Sequence, residues 1–203
     1  MTSTFAGTDR AIDGRSADII FRDAHTAYSF TGEPVLDDQL AAIYDHVKHA
    51  PTAMNTQPLR ITYVRSPEAK ARLLPHLAEG NRAKADSAPV IAILAADTEF
   101  HEHLPRMLPH APAAKDMFAD PAARTKAATF NATLQAGYFI LAVRAVGLDA
   151  GPMGGIDAIG IDREFFAGTG LRTFLAVNIG YVAEDGTFPR NPRFEAHEVV
   201  TVL

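Results

Sequence analysis

At 203 residues, 47% apolar and 21% charged, with a formal net charge of -5, the chain has room for one well-buried core and lacks the basic excess of non-specific nucleic-acid binders. It contains no cysteine, which excludes disulfides, thiolate metal sites and cysteine nucleophiles. No window approaches the roughly eighteen apolar residues of a membrane helix. The polar start MTSTFAGTDRAIDGRSAD lacks a signal-peptide layout, so a cytoplasmic protein is expected, with a loose arm over residues 1–17 and a single folded domain over 18–203.

In chain order, IIFRDAHTAYSF reads as a short helix running into a loop. Glu33-Pro34 precedes an amphipathic helix in which Val35, Leu40, Ile43, Tyr44 and Val47 share a face, and Pro51 ends it. The segment Pro51 to Pro58 is a loop of small polar residues between two prolines. Arg60–Arg65 alternates and is β-branched, which predicts a strand. Ser66-Pro67-Glu68 caps a helix over AKARLL that Pro75 breaks. Gly80 to Lys84 then leads through Ala88-Pro89 into VIAILAA, a strand apolar throughout and therefore covered on both faces. His101 to Pro112 holds three prolines and three histidines without a repeat and reads as a surface excursion or lid.

The stretch that organises the chain follows. Asp120-Pro121 is an N-cap and first-turn signal, and a helix is predicted over Ala122–Val146, stopped by Gly147. Phe130, Leu134, Tyr138, Leu141 and Ala145 keep one apolar spacing; Ala132, Ala136, Gly137 and Ile140 add a second side, so the helix is expected to be buried between layers. Gly151-Pro152-Met153-Gly154-Gly155 is either a plain turn or a place where backbone N–H groups approach a flat ligand. Asp162 to Phe166 makes a helical turn, Leu171–Val182 the longest strand, and the tail is extended. Three unevenly spaced strands predict an α+β fold: a three-layer-like sandwich with helices on both sides of a small mixed sheet.

Several chemistries lack their motifs. There is no GxGxxG after a strand, no GxxxxGK[ST] and no GxSxG. His101-Glu102-His103 does not have metal-ligand spacing and reads as loop. His46 and His49 sit on a wet helix face, and Asp37-Asp38 suits helix capping. What remains is a scatter of small polar, amide and cationic positions: Thr26, Thr52, Asn55, Asn81, Lys84, the Gly154 region, Arg190 and Arg193. Together they suit a flavin mononucleotide, whose phosphate needs arginines and whose ring needs amide, ammonium and backbone donors.

At these residues the sequence resembles the FMN-dependent nitroreductase family, most closely its malonic-semialdehyde-reductase-like branch of pyrimidine degradation. Pro51-Thr52-Ala53-Met54-Asn55-Thr56-Gln57-Pro58 is similar to the family's P-[ST]-[SA]-x-N-x-Q-P loop. Asn81-Arg82-Ala83-Lys84 with Ala88-Pro89-Val90 resembles its N-x-x-K…A-P-V segment. Gly147 to Gly155 resembles its flavin-facing loop, and Arg190-Asn191-Pro192-Arg193 its C-terminal phosphate clamp.

The resemblance implies an intertwined homodimer with two FMN sites at the interface, no membrane and no nucleic-acid partner. It implies that Thr26, Arg190 and Arg193 hold phosphate and ribityl, and that Asn81 and Lys84 reach the ribityl and pyrimidine side. Pro152, Met153 and Gly154 would line the flavin, with Gly154 offering its backbone N–H towards N5. Pro51, Thr52 and Asn55 would contact the flavin bound mainly by the partner subunit. It implies ping-pong hydride transfer from NADH or NADPH, through flavin N5, to a small acceptor such as malonic semialdehyde, a nitroaromatic or a quinone. The alternatives on the same scaffold are an oxygen-using oxidase or desaturase and a flavin-binding protein without turnover. Phe118, Phe130 and the stretch near His110 are acceptor-pocket candidates, and Arg60 or Arg106 could serve an acceptor carboxylate. One departure stands out. The family's opening motif usually carries an arginine before or at the position of His25, next to the Ser/Thr; here one phosphate cation is missing or only partly charged near neutrality, unless Arg22 compensates.

Overall fold

The computed structural model describes residues 11–203. Of the expected N-terminal arm, the first ten residues lie outside the described ones. Gly14–Ala17 form a helical turn capped by Asp13, continued by a wider π-type turn over Asp18–Arg22. Five longer helices follow: α1 (Asp37–Val47), α2 (Pro67–Leu73), α3 (Glu79–Ser87), α4 (Pro121–Ala145) and α5 (Ala158–Phe165). The strands are β1 (Leu59–Val64), β2 (Val90–Asp97), β3 (Asp149–Met153) and β4 (Leu171–Gly180), in the order β1-β2-β4-β3.

All three pairings are antiparallel, so the sheet is not mixed as expected from the sequence. The fourth strand, β3, is also new: Asp149–Met153 contains Gly151 and Pro152, which local propensity places in a turn. Its position at the sheet edge is where a proline is tolerated, since only one side of the strand must supply ladder donors.

β2 sets the two-sided core. Val90, Ala92, Leu94 and Ala96 point into the cluster shared with α1 and α4, while Ile91, Ile93 and Ala95 point into the opposite cluster with α2 and α5. All eight residues of β2 are buried: the first seven form an unbroken apolar run that requires cover on both faces, and the eighth, Asp97, is ion-paired with Arg60.

α4 keeps its predicted limits because both are local. Asp120 accepts hydrogen bonds from Ala122 N and Ala123 N, and Gly147 takes the left-handed φ of 80° that ends the helix. Its faces are reversed relative to expectation. The buried side is Ala128, Asn131, Ala132, Gln135, Ala136, Phe139, Ala142 and Val143. Phe130, Leu134 and Tyr138 are exposed at 64, 44 and 44%. Ala136, expected to meet a second chain, packs in its own core. The physical reason is distance: small residues let a helix lie close to the sheet, which the bulkier stripe would prevent. Tyr44, expected on the buried face of α1, is likewise exposed.

The expected lid also differs. Phe100, His101 and Leu104 are buried, and Phe118 meets the Phe100 ring edge-on at 4.8 Å, so the segment's first part is anchored in the core. The two histidines there face different environments: His101 is buried and His103 exposed.

Gly151 is required by packing. A Cβ there would stand 2.5 Å from the Ala27 carbonyl oxygen and 3.3 Å from Asn178 Cβ, because Ala27 runs alongside β3 and donates to Ala150 O. Gly151→Ala is therefore expected to cost about 1–3 kcal/mol. Thermal unfolding should show Tm lowered by roughly 2–4 °C per kcal/mol; an unchanged midpoint would refute the close approach.

Candidate functional site

The residues singled out in the sequence fall into three groups. The first is a cleft of about 170 Å³ between the segment before β3's neighbour Ala27 and the C-terminal tail. It gathers His25, Thr26, Arg190 and Arg193, and adds Arg144 from the last turn of α4. No Asp or Glu lines it. Arg190 Nη2 donates to Arg22 O at 2.6 Å and Ala24 O at 2.9 Å, and Arg144 Nη1 donates to Ile20 O at 3.3 Å. Two guanidiniums thus brace the segment that carries His25 and Thr26. Burial, more than the neighbouring Arg190, holds the Arg144 guanidinium below its ordinary pKa, and Asp149 partly offsets this. Three like-charged guanidiniums in one small cleft without a counter-ion fit an oxyanion such as a phosphate monoester.

Arg22, the expected substitute cation, faces elsewhere. It is ion-paired with Asp18 and donates to Gly14 O. Arg144 was not read from the sequence as functional. A lone arginine in the last turn of a helix is adequately explained by the helix dipole, so no sequence signal distinguished it.

The second group adjoins the first. Lys84 Nζ lies 5.0 Å above the Tyr28 ring, and Tyr28 meets Phe188 edge-on at 4.6 Å, linking α3 to the wall of the cleft. Burial holds the Lys84 ammonium below its ordinary pKa. Asn81 Nδ2 donates to Gly155 O at 2.9 Å, and a Cβ on Gly155 would meet that nitrogen at 2.8 Å. Gly154 is different: a Cβ there meets nothing within 4 Å, so the fold itself does not require a glycine. Pro152 is half-buried, and Met153 is buried with its sulfur 3.5 Å from Asn178 Nδ2. Met153 can therefore face a ligand only through its backbone.

The third group lies at the far edge of the sheet. Pro51, Thr52 and Asn55 precede β1, whereas Gly154 and Thr26 flank β3 at the opposite edge. Three inter-strand spacings separate the edges, about 14 Å. The two sets therefore flank opposite edges of the sheet within one chain.

The Pro51–Pro58 loop is held in an unusual backbone. Met54, Asn55 and Gln57 have φ of 54, 53 and 38°, the left-handed region that non-glycine residues seldom adopt. Two buried amides of α4 fasten its ends: Asn131 Oδ1 accepts from Ala53 N at 2.8 Å and Gln135 Oε1 from Leu59 N at 3.0 Å. Thr52 Oγ1 accepts from Gln57 N at 3.2 Å, and Asn55 Nδ2 donates to Met107 O at 2.7 Å.

Beside this loop is a cavity of about 500 Å³ that includes Arg60, Arg106 and Lys48 in its walls. Arg60 is paired with Asp97 at 2.5 Å and Lys48 with Asp45 at 2.6 Å. The two arginines suggested by the sequence for a carboxylate thus share one cavity. Phe118 is engaged with Phe100, and Phe130 lies on the exposed stripe of α4; neither is among the residues lining that cavity.

Comparison with known proteins follows the same lines. Residues 22–181 match the model of the nitroreductase family. A Streptomyces coelicolor protein provisionally named as an NADH dehydrogenase/NAD(P)H nitroreductase is 54% identical over 193 residues, 95% of this chain and 98% of its own length. An Exiguobacterium sibiricum structure provisionally titled a nitroreductase, solved in complex with FMN, superposes with a TM-score of 0.82 at 19% identity, covering 97% of this chain and 100% of that one. A Staphylococcus epidermidis structure provisionally titled an NAD(P)H:FMN oxidoreductase gives 0.80 at 19% identity, with 97 and 100% covered.

Proposed function

Because the chain belongs to the nitroreductase family, we propose that it is an FMN-dependent NAD(P)H oxidoreductase acting as an intertwined cytoplasmic homodimer. The observation that carries this reading is the carboxylate-free cleft of Arg144, Arg190 and Arg193 beside Thr26 and His25, which fits the FMN phosphate. Asn81 and Lys84 serve the ribityl and pyrimidine side, and the Gly154 N–H faces the reactive edge of the ring. The freedom of Gly154 from any packing demand supports that assignment: a glycine the fold does not need is one a close ligand would need.

The opposite-edge placement of Pro51, Thr52 and Asn55 supports their use by the partner subunit's flavin. So does the exposure of two apolar surfaces. The stripe Phe130, Leu134 and Tyr138 stands on α4, and Phe188, Phe194, Val199, Val200 and Val202 are exposed by 61% or more along the tail. A second copy of the chain is the partner this reading places on these surfaces.

Bound flavin supplies the two-electron redox chemistry, with NADH or NADPH as the transient donor. The chain's own residues bind it, orient it and keep water from its ring. The acceptor is a small molecule such as malonic semialdehyde, which would give 3-hydroxypropanoate, a nitroaromatic or a quinone. Arg106, which has no ion-pair partner among the described residues, favours one bearing a carboxylate in the cavity it shares with the Asp97-paired Arg60.

Reconstitution with FMN is expected to give a yellow protein holding one flavin per subunit, bleached anaerobically by NADH or NADPH. A protein that stays colourless would end this reading. A yellow protein that neither nucleotide bleaches would move it to an oxygen-using or non-turnover flavoprotein.

A further inference from the structure

If the cleft seats the FMN phosphate, His25 in place of the motif arginine leaves that seat one permanent cation short. His25 Nδ1 lies 3.1 Å from the Phe188 carbonyl oxygen. That oxygen can only accept, so Nδ1 carries the proton, and a neutral ring has only a lone pair left at Nε2. A lone pair repels a phosphate oxygen. The permanent charge must come from elsewhere, and Arg22 is committed to Asp18 and Gly14 O, outside the cleft.

We propose that Arg144, projecting from the last turn of α4, is the third fixed cation of the phosphate seat and does the work of the arginine that His25 replaces. The proposal rests on the FMN reading above. Arg144 reaches the cleft, has no acidic neighbour among its lining residues, and is tied by one bond to Ile20 O in the segment that leads to His25. Asp149, the acid that faces Arg144 from β3, accepts from Val182 N at 3.0 Å and is not among the lining residues of the cleft. The helix end contributes too: Gly147 N and Val146 N both bond to carbonyls of the last turn, so the α4 terminus is closed and the Arg144 stem leaves it in a fixed direction. Burying that stem against its own chain while three guanidiniums converge costs electrostatic energy in the free protein. An oxyanion bound between them recovers it.

The test compares FMN with riboflavin, which lacks the phosphate. Dissociation constants are measured by flavin fluorescence on full-length apoprotein for the natural chain, Arg144→Met, Arg144→Lys and Arg22→Met. Loss of one charge-assisted phosphate contact predicts FMN affinity down about 10- to 100-fold in Arg144→Met. Riboflavin affinity should stay within about threefold. Arg144→Lys should recover part of the FMN preference, and Arg22→Met should leave both ligands unchanged. Equal losses for FMN and riboflavin would show a merely structural Arg144 and overturn the proposal. So would no loss for either, or loss of phosphate preference in Arg22→Met. If the natural chain binds neither flavin, the functional reading fails instead, a result that the unmodified protein alone reveals.

Discussion

Leu134→Glu is expected to convert the proposed dimer into a folded monomer that no longer retains flavin. α4 has 25 residues and is about 38 Å long, and its outer stripe of Phe130, Leu134 and Tyr138 is exposed. Gly137 between them carries no side chain and would meet nothing within 4 Å if it did, so a second helix can approach closely there. In a twofold dimer each substitution acts twice. Removing two apolar contacts forfeits about 1.5–3 kcal/mol each, before the cost of burying two carboxylates. Dimerisation should weaken by roughly a thousandfold or more.

Because Leu134 points away from its own core, circular dichroism and cooperative unfolding should persist. Sedimentation equilibrium reads the subunit mass, and gel filtration of the reconstituted protein reads the colour. Flavin loss accompanies dissociation because the Pro51–Asn55 loop would be removed from the site. A variant still dimeric and still yellow would place the interface elsewhere.

Asn131→Leu is expected to release the Pro51–Pro58 loop. The substitution keeps the number and branching of side-chain heavy atoms and removes the acceptor of Ala53 N, in a loop that stores left-handed backbone at Met54, Asn55 and Gln57. An orphaned N–H costs about 1–3 kcal/mol, and strained residues relax once their restraint is gone. Gln135→Leu orphans the buried Leu59 N in the same way. Since both amides restrain one loop, the double variant should lose less than the sum of the singles.

Flavin affinity should fall about tenfold or more in each, with subunit mass unchanged at micromolar concentration. That pattern separates loop release from loss of the dimer. Flavin affinity equal to that of the natural chain would show the loop to be self-supporting through Thr52 and Asn55.

Where the signal is local, the sequence was a sufficient guide. The start and end of α4 follow from Asp120-Pro121 and Gly147, the Ser66 cap of α2 from its hydroxyl accepting from Ala69 N, and the double burial of β2 from its unbroken apolar run. Motif order also marked out His25, Thr26, Arg190 and Arg193, which share one cleft. Asn81, Lys84 and Gly154 lie together beyond it.

Other features are settled only by tertiary contact. β3 exists because β4 offers a free edge, against the local preference of Gly151-Pro152 for a turn. The buried side of α4 is the small one because the sheet must lie close beneath it, and two apolar sides cannot be ranked by periodicity alone. Asn131 and Gln135 looked like ordinary polar helix positions until the backbone of a loop some 75 residues away came to bond them. Arg144 is read by the same logic. Composition, element limits and motifs are properties of neighbouring residues, and the chain states them itself. Which face packs, which edge pairs and which cation converges depend on residues far apart in sequence, whose meeting only the folded chain decides.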